Sequence, residues 1–196
     1  MPILAPPPKK ILTVEDNAIV SADVRSILEA AGYDVCPDAR DGEQAIEHVR
    51  TYAPDLILLD LTLPRLDGVD AASRIREESD APILVLTGNN DPDLLERAEA
   101  AGTSGLVLKP FSEHGLLDAV RSRLAEADAD DFSLRCLIET MHREGADERA
   151  IVRAVQSAMR PDSPSRQPGS LHRALRRLAR FVTRGGRRSQ PLRSPE

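Results

Sequence analysis

Five polar residues stand where short apolar runs end. Glu15 and Asp16 follow ILTV (11–14), Asp60 closes LILLD, Thr87 ends ILVLT (83–87), and Lys109 follows LVL (106–108) directly before Pro110. Singly, each has a plain structural explanation: an Asp after a strand is usually a turn or cap residue, a Thr at a strand end is usually hydrogen-bonded within the fold, and Lys-Pro usually marks a loop. Jointly they resist that explanation, because three carboxylates gathered in one place are costly unless a cation or proton offsets them. Hard carboxylate oxygens, few in number and leaving positions for water, suit Mg²⁺. A carboxylate beside such a metal can attack phosphorus and become an aspartyl phosphate. A hydroxyl and an ammonium can then hold the phosphoryl oxygens, and phosphoryl transfer needs little beyond positioning and charge neutralisation.

These residues meet only if one sheet brings their strand ends together. Apolar runs at 11–14, 56–61, 83–87 and 106–108, with a weaker one at 33–36, alternate with stretches of helical spacing at 18–31, 42–53, 67–78, 92–101 and 113–126. Asp41 is placed to cap the second helix, and Asp91 with Pro92 at the first helical position opens the fourth. Gly32 and Gly102 close helices. Strands apolar on both faces, interleaved with amphipathic helices, predict a parallel sheet covered on both sides. Five β-α units in this length fit an α/β, flavodoxin-like, doubly wound five-stranded parallel sheet, whose chemistry lies outside the carboxyl ends of its strands.

Composition permits this and excludes other classes. The 196 residues are 41% hydrophobic and 30% charged, ordinary for a globular protein, but Trp is absent and aromatics make up 3%, so the core must come from Leu, Ile, Val and Ala. Cys36 and Cys136 lack metal-ligand spacing and read as reduced thiols. The start, MPILAPPPKK, is too short and proline-rich for a secretory segment, and no apolar run reaches the roughly 18 residues that cross a bilayer, which predicts a cytoplasmic protein. The charge is uneven: residues 161–196 hold nine Arg against Asp162 and Glu196, a net of +7, so the overall −6 leaves −13 on residues 1–160. An acidic body with a basic tail suggests two jobs.

With ILTVEDN, LILLDLTLPRLDG, VLTG and LVLKPF in this order and spacing, residues 9–127 closely resemble the receiver domains of bacterial two-component response regulators. The resemblance implies that Asp60 is the phosphoacceptor, phosphorylated by a histidine kinase or phosphotransfer protein. It implies that Asp16 is a direct Mg²⁺ ligand, that Glu15 acts near the metal through water, and that the backbone carbonyl of Thr62 completes the ligand set with Asp60. Thr87 would move towards the phosphoryl group and Lys109 would pair with its oxygens across a cis Lys109–Pro110 bond. Gly68 fits the turn after the phosphorylation loop, and Gly88 leaves room for the donor. By analogy, residues 92–126 form the partner or homodimer face. One position departs: the family usually carries an aromatic residue three before the lysine, and here Leu106 takes that switch position. Glu15 for the commoner Asp is a milder variation. The implied protein is a phosphoacceptor and at most a slow autophosphatase, not a conventional enzyme.

Beyond the receiver, residues 130–160 predict a helical hairpin. Asp130 or Asp131 caps its first helix (Phe132, Leu137, Ile138, Met141), Gly145 breaks it, Asp147 caps the second (Ile151, Val152, Val155, Met159), and Pro161 ends it. Two short helices bury little alone and must dock or dimerise. Glu144 falls where a helix-turn-helix wants an apolar residue, which argues against that motif. The segment faintly resembles the helical RNA-binding antiterminator module that follows some receivers, but is short for it. Residues 161–169 form a Pro/Ser-rich linker. In residues 170–196, Leu171, Leu175, Leu178 and Val182 form a stripe amid Arg173, Arg176, Arg177, Arg180 and Arg184. Such a cationic amphipathic helix suits nucleic-acid phosphates, an anionic membrane surface or an acidic partner, and a solvated disordered tail is the plain alternative. Two other readings compete for the whole chain. A haloacid dehalogenase-type phosphatase would need an acid/base Asp two residues after the nucleophile, where Thr62 stands. A receiver-like scaffold that has lost its chemistry has only Leu106 in its favour.

Overall fold

The computed structural model describes residues 7–143, with side chains described through Ala129. Five strands and five helices alternate: β1 (Lys10–Val14), α1 (Ala18–Ala30), β2 (Asp34–Val35), α2 (Gly42–Tyr52), β3 (Leu56–Leu59), α3 (Gly68–Glu78), β4 (Ile83–Thr87), α4 (Pro92–Ala100), β5 (Gly105–Leu108) and α5 (Glu113–Arg143). All pairings are parallel and the strand order is β2-β1-β3-β4-β5. The order reverses between β1 and β3, which opens a crevice at their carboxyl ends.

Local chemistry sets most boundaries. Asn17, Asp41, Asp67 and Asp91 cap α1 to α4 by accepting backbone N–H groups of the first turn, with Pro92 at the first position of α4. Gly32 and Gly102 leave α1 and α4 at φ 88° and 90°, a left-handed turn that a Cβ disfavours. The sheet is buried on both faces, as its continuous apolar runs demand. Ile11, Leu56, Leu58, Leu84 and Leu86 pack towards Val24, Leu28, Leu116 and Val120. Their alternating neighbours Leu12, Val14, Ile57, Leu59 and Ile83 pack towards Ala45, Val49, Ala72 and Ile75. The period of two puts successive side chains of one strand in opposite layers. β2 is shorter than the expected 33–36, and Val14 pairs with Ala39 in an isolated bridge instead.

The C-terminal side differs from expectation. α5 runs unbroken from Glu113 to Arg143, so the separation expected between a helix at 113–126 and a new one capped by Asp130 or Asp131 is absent. No Gly or Pro interrupts residues 116–144, and the aspartates alone do not stop a helix that can continue through Ala, Leu and Arg. The chain divides into compact units between Ala125 and Glu126. The expected second hairpin helix, the linker at 161–169 and the basic helix and tail at 170–196 lie outside the described residues.

Candidate functional site

The backbone delivers three of the predicted residues to one edge by hydrogen bonds that continue the sheet. The Asp60 amide donates to the Val14 carbonyl at 3.0 Å, the Glu15 amide to the Ala39 carbonyl at 2.9 Å, and the Lys109 amide to the Thr87 carbonyl at 2.9 Å. Asp60 and Glu15 thus stand one residue past β3 and β1, and Lys109 one past β5.

Their side chains converge. The Lys109 ammonium donates to Glu15 Oε2 at 2.5 Å and to Asp60 Oδ2 at 2.6 Å, bridging two buried carboxylates. The second oxygen of each is also held: Asp60 Oδ1 accepts from the Thr62 amide at 2.9 Å, and Glu15 Oε1 from the Asn17 amide at 3.2 Å. Asp16 is exposed beside them, and Glu15, Asp16 and Asp60 each present an oxygen within 4.8 Å of the others. Burial pushes the Glu15 carboxyl above its ordinary range, with Lys109 pulling it down and the Asp60 charge pushing it up. Burial by itself would lower the Lys109 ammonium, but its bonds to Asp60 and Glu15 outweigh that and raise it, so Lys109 stays a cation. The donor set is all hard oxygen and Asp16 leaves it open to solvent, which fits Mg²⁺.

Thr87 is fully buried at the end of β4, and its Oγ1 accepts from the Asn89 amide at 3.1 Å. The hydroxyl is thereby tied to the β4–α4 loop, while the Thr87 backbone is tied to Lys109. Thr62 enters through its amide. Leu106 faces outward from the edge strand β5, 41% exposed. The Lys109–Pro110 bond is cis, as expected. Next to Gly88, a Cβ would meet nothing closer than Lys109 Cβ at 4.0 Å, so the space beyond Thr87 is open.

The sequence reading passed over three residues around this cluster. Asn17 caps α1 and lends its amide to Glu15, and an Asn between an acidic pair and a helical stretch is a recognisable cap signal. Asn89 holds the Thr87 hydroxyl through its amide. Arg65, in the β3–α3 loop, has φ 68° and pairs with the buried carboxylate of Asp41 at 3.1 Å. No sequence rule announces an arginine in the left-handed region.

Known proteins carry the same pattern. The family described as the response regulator receiver domain matches residues 11–121. The transcriptional regulatory protein PdtaR of Mycobacterium tuberculosis is 38% identical over 146 residues, covering 73% of this chain and 71% of that protein. The chemotaxis protein CheY of Halobacterium salinarum is 32% identical over 113 residues, covering 57% of this chain and 93% of its own. Among solved structures, the receiver domain of a Pseudomonas aeruginosa sensor histidine kinase, with a magnesium ion coordinated in its active-site cleft, superposes with a TM-score of 0.56 at 31% identity, covering 60% of this chain and 98% of that one. Strand order, converging carboxylates and sequence similarity agree, and the chain belongs to the response regulator receiver domain family of two-component systems.

Proposed function

We propose that this receiver accepts a phosphoryl group on Asp60 from a histidine kinase or phosphotransfer protein and that the modification switches a partner interaction. The observation that carries this reading is the Lys109 ammonium bridging Glu15 and Asp60 with Asp16 alongside. Such an arrangement makes little sense as packing, since a buried ion cluster contributes little net stability compared with apolar side chains.

In this reading an Asp60 carboxylate oxygen attacks the phosphorus of the donor. The new bond is P–O, the broken bond is the one to the donor's leaving atom, and that atom departs with the electron pair. The Thr62 amide orients the carboxylate. Lys109, already a cation, releases Glu15 and Asp60 in part to pair with phosphoryl oxygens. Thr87 exchanges its bond from the Asn89 amide for one towards the phosphoryl group. Glu15, Asp16, Asp60 and the Thr62 carbonyl would hold Mg²⁺, which when bound supplies positive charge against the phosphoryl oxygens. The added charge and acceptor oxygens bias a two-state surface, and residues 92–126, with Leu106 in place of an aromatic switch, are the surface that responds. No helix among the described residues is long and apolar enough to cross a membrane, and a cytoplasmic location suits a kinase partner.

A second reading concerns output. The similarity to PdtaR, named as a transcriptional regulator, extends over 146 residues and so reaches beyond the receiver match at 11–121. That favours an output in gene regulation, and independently the nine Arg of residues 161–196 supply charge that nucleic-acid phosphates would attract. Incubation with acetyl phosphate and Mg²⁺, read by intact mass on wild type and Asp60→Asn, tests the first reading. A single phosphate adduct on wild type alone supports it. A folded protein that binds Mg²⁺ yet gains no adduct overturns it in favour of a scaffold.

A further inference from the structure

The loop that follows Asp60 is tied at its middle to a helix that takes no part in the chemistry. Residues 60–68 leave β3 and return at α3. Both ends of the loop are anchored by backbone groups: the Thr62 amide bonds to Asp60 Oδ1, and the Gly68 amide to the Leu61 carbonyl at 3.2 Å. At the apex, Arg65 sits at φ 68°, where any residue with a Cβ is disfavoured and glycine or asparagine is the usual occupant. An arginine kept there points to a use for its side chain. Arg65 Nη1 lies 3.1 Å from Asp41 Oδ2, and Asp41 is the buried N-cap of α2. The adjacent Leu66 independently covers Gly42, the first residue of α2. A Cβ on Gly42 would fall 2.9 Å from Leu66 Cδ2 and 2.9 Å from Ala71 Cβ. Two consecutive loop residues therefore contact two consecutive residues at the start of α2, one by charge and one by packing.

We infer that Arg65 is a positioning residue: its ion pair with Asp41 latches the β3–α3 loop onto α2 and holds Thr62 in the orientation that sets the Asp60 carboxylate. The inference rests on Asp60 being the phosphoacceptor. An ion pair with one exposed partner is worth little in general. Here, however, the Asp41 carboxylate is buried, and its other oxygen is engaged by the Gln44 amide at 2.9 Å, so the arginine has a fixed target. Without the latch the loop keeps its two anchored ends but loses the constraint between them.

The test uses the full chain as wild type, Arg65→Gly, Arg65→Lys and Asp41→Asn, the last keeping a competent helix cap while removing the charge. Arg65→Gly removes the side chain and also relieves the backbone, so a merely structural arginine predicts unchanged or higher thermal stability and unchanged chemistry. Two readouts are taken: amide hydrogen exchange at Thr62 and Gly68 in metal-free protein, and the rate of phosphate incorporation from acetyl phosphate with Mg²⁺. The latch predicts that Arg65→Gly and Asp41→Asn each speed Thr62 exchange and slow incorporation by about two- to fivefold, the effect of an interaction of this class. It also predicts that the double variant is no worse than either alone, that Arg65→Lys lies in between, and that melting temperatures stay near wild type. Wild-type exchange at Thr62 in Arg65→Gly, or faster exchange with unchanged incorporation, overturns the inference. If wild type takes no phosphate, the acceptor reading fails and the positioning role of Arg65 fails with it, whereas labelled wild type with unaltered variants overturns the positioning role alone.

Discussion

Gly68 lies so close to the backbone of Asp60 that a Cβ placed on it would fall 2.4 Å from the Asp60 carbonyl oxygen and 2.5 Å from the Leu61 Cα. Both neighbours are backbone atoms, so no side-chain rotation makes room. Gly68→Ala should push α3 away from β3, destabilise the fold by roughly 1–3 kcal/mol as other overpacking substitutions do, and slow labelling at the proposed acceptor Asp60. Chemical denaturation and intact-mass labelling read the two effects, and wild-type behaviour in both would contradict the close approach.

Lys109→Met removes the one cation bridging Glu15 and Asp60. Two buried carboxylates then face each other without a counter-charge, each keeping only its backbone amide donor, and the metal-free protein should lose about 2–4 kcal/mol at neutral pH. Added Mg²⁺ should recover more stability in this variant than in wild type, because a divalent ion can replace the missing charge. Thermal melts with and without Mg²⁺ decide the point, and equal shifts in both proteins would remove Lys109 from the site's electrostatics.

The Cys36 thiol is buried, and its pKa is raised above the ordinary 9.0 chiefly by that burial, with Asp34 adding to the effect. The folded state therefore prefers the protonated thiol. This contribution to stability is fully present below pH 9 and is lost as the pH rises through the folded-state value. Cys36 should resist alkylation at pH 7 to 8 and react only when the protein unfolds. Peptide mapping after iodoacetamide treatment checks this, and rapid labelling of Cys36 in native protein would refute it.

Leu58 is fully buried between β1 and β4. Leu58→Ala should cost about 2–5 kcal/mol, the range for truncating a core leucine. Urea denaturation measures it, and a loss under about 1 kcal/mol would mean the site collapses around the gap.

Much of this was legible in the sequence. Two-sided apolar runs such as LILL admit few homes besides a central parallel strand, and Asp41, Asp91 with Pro92, Gly32 and Gly102 mark helix ends by chemistry that acts within a few residues. The gathering of Glu15, Asp16, Asp60 and Lys109 at one edge followed from that alternation, because parallel strands end on the same side. Other features depend on distant partners. The reach of Lys109 to Glu15 spans 94 residues and is set by packing depth, which spacing does not encode. The continuation of α5 past Ala129 turns on whether Asp130 and Asp131 act as caps or as ordinary helical residues, a choice their type leaves open. The partner that Arg65 meets from its left-handed position, Asp41, lies 24 residues earlier.

Asp60 is anchored to the central strand of the sheet, with β3 buried along its whole length between β1 and β4. Fluctuations that open a protein start at edges and loops and reach such a strand last. The amide of Asp60 should therefore exchange with solvent only when the entire unit unfolds. A donor reaching Asp60, as proposed, would meet one backbone position in nearly every encounter, with the breathing confined to the surrounding loops and the outer strand. If the proposed bond forms at Asp60, it forms where the molecule is quietest, and the message is left to the parts that move.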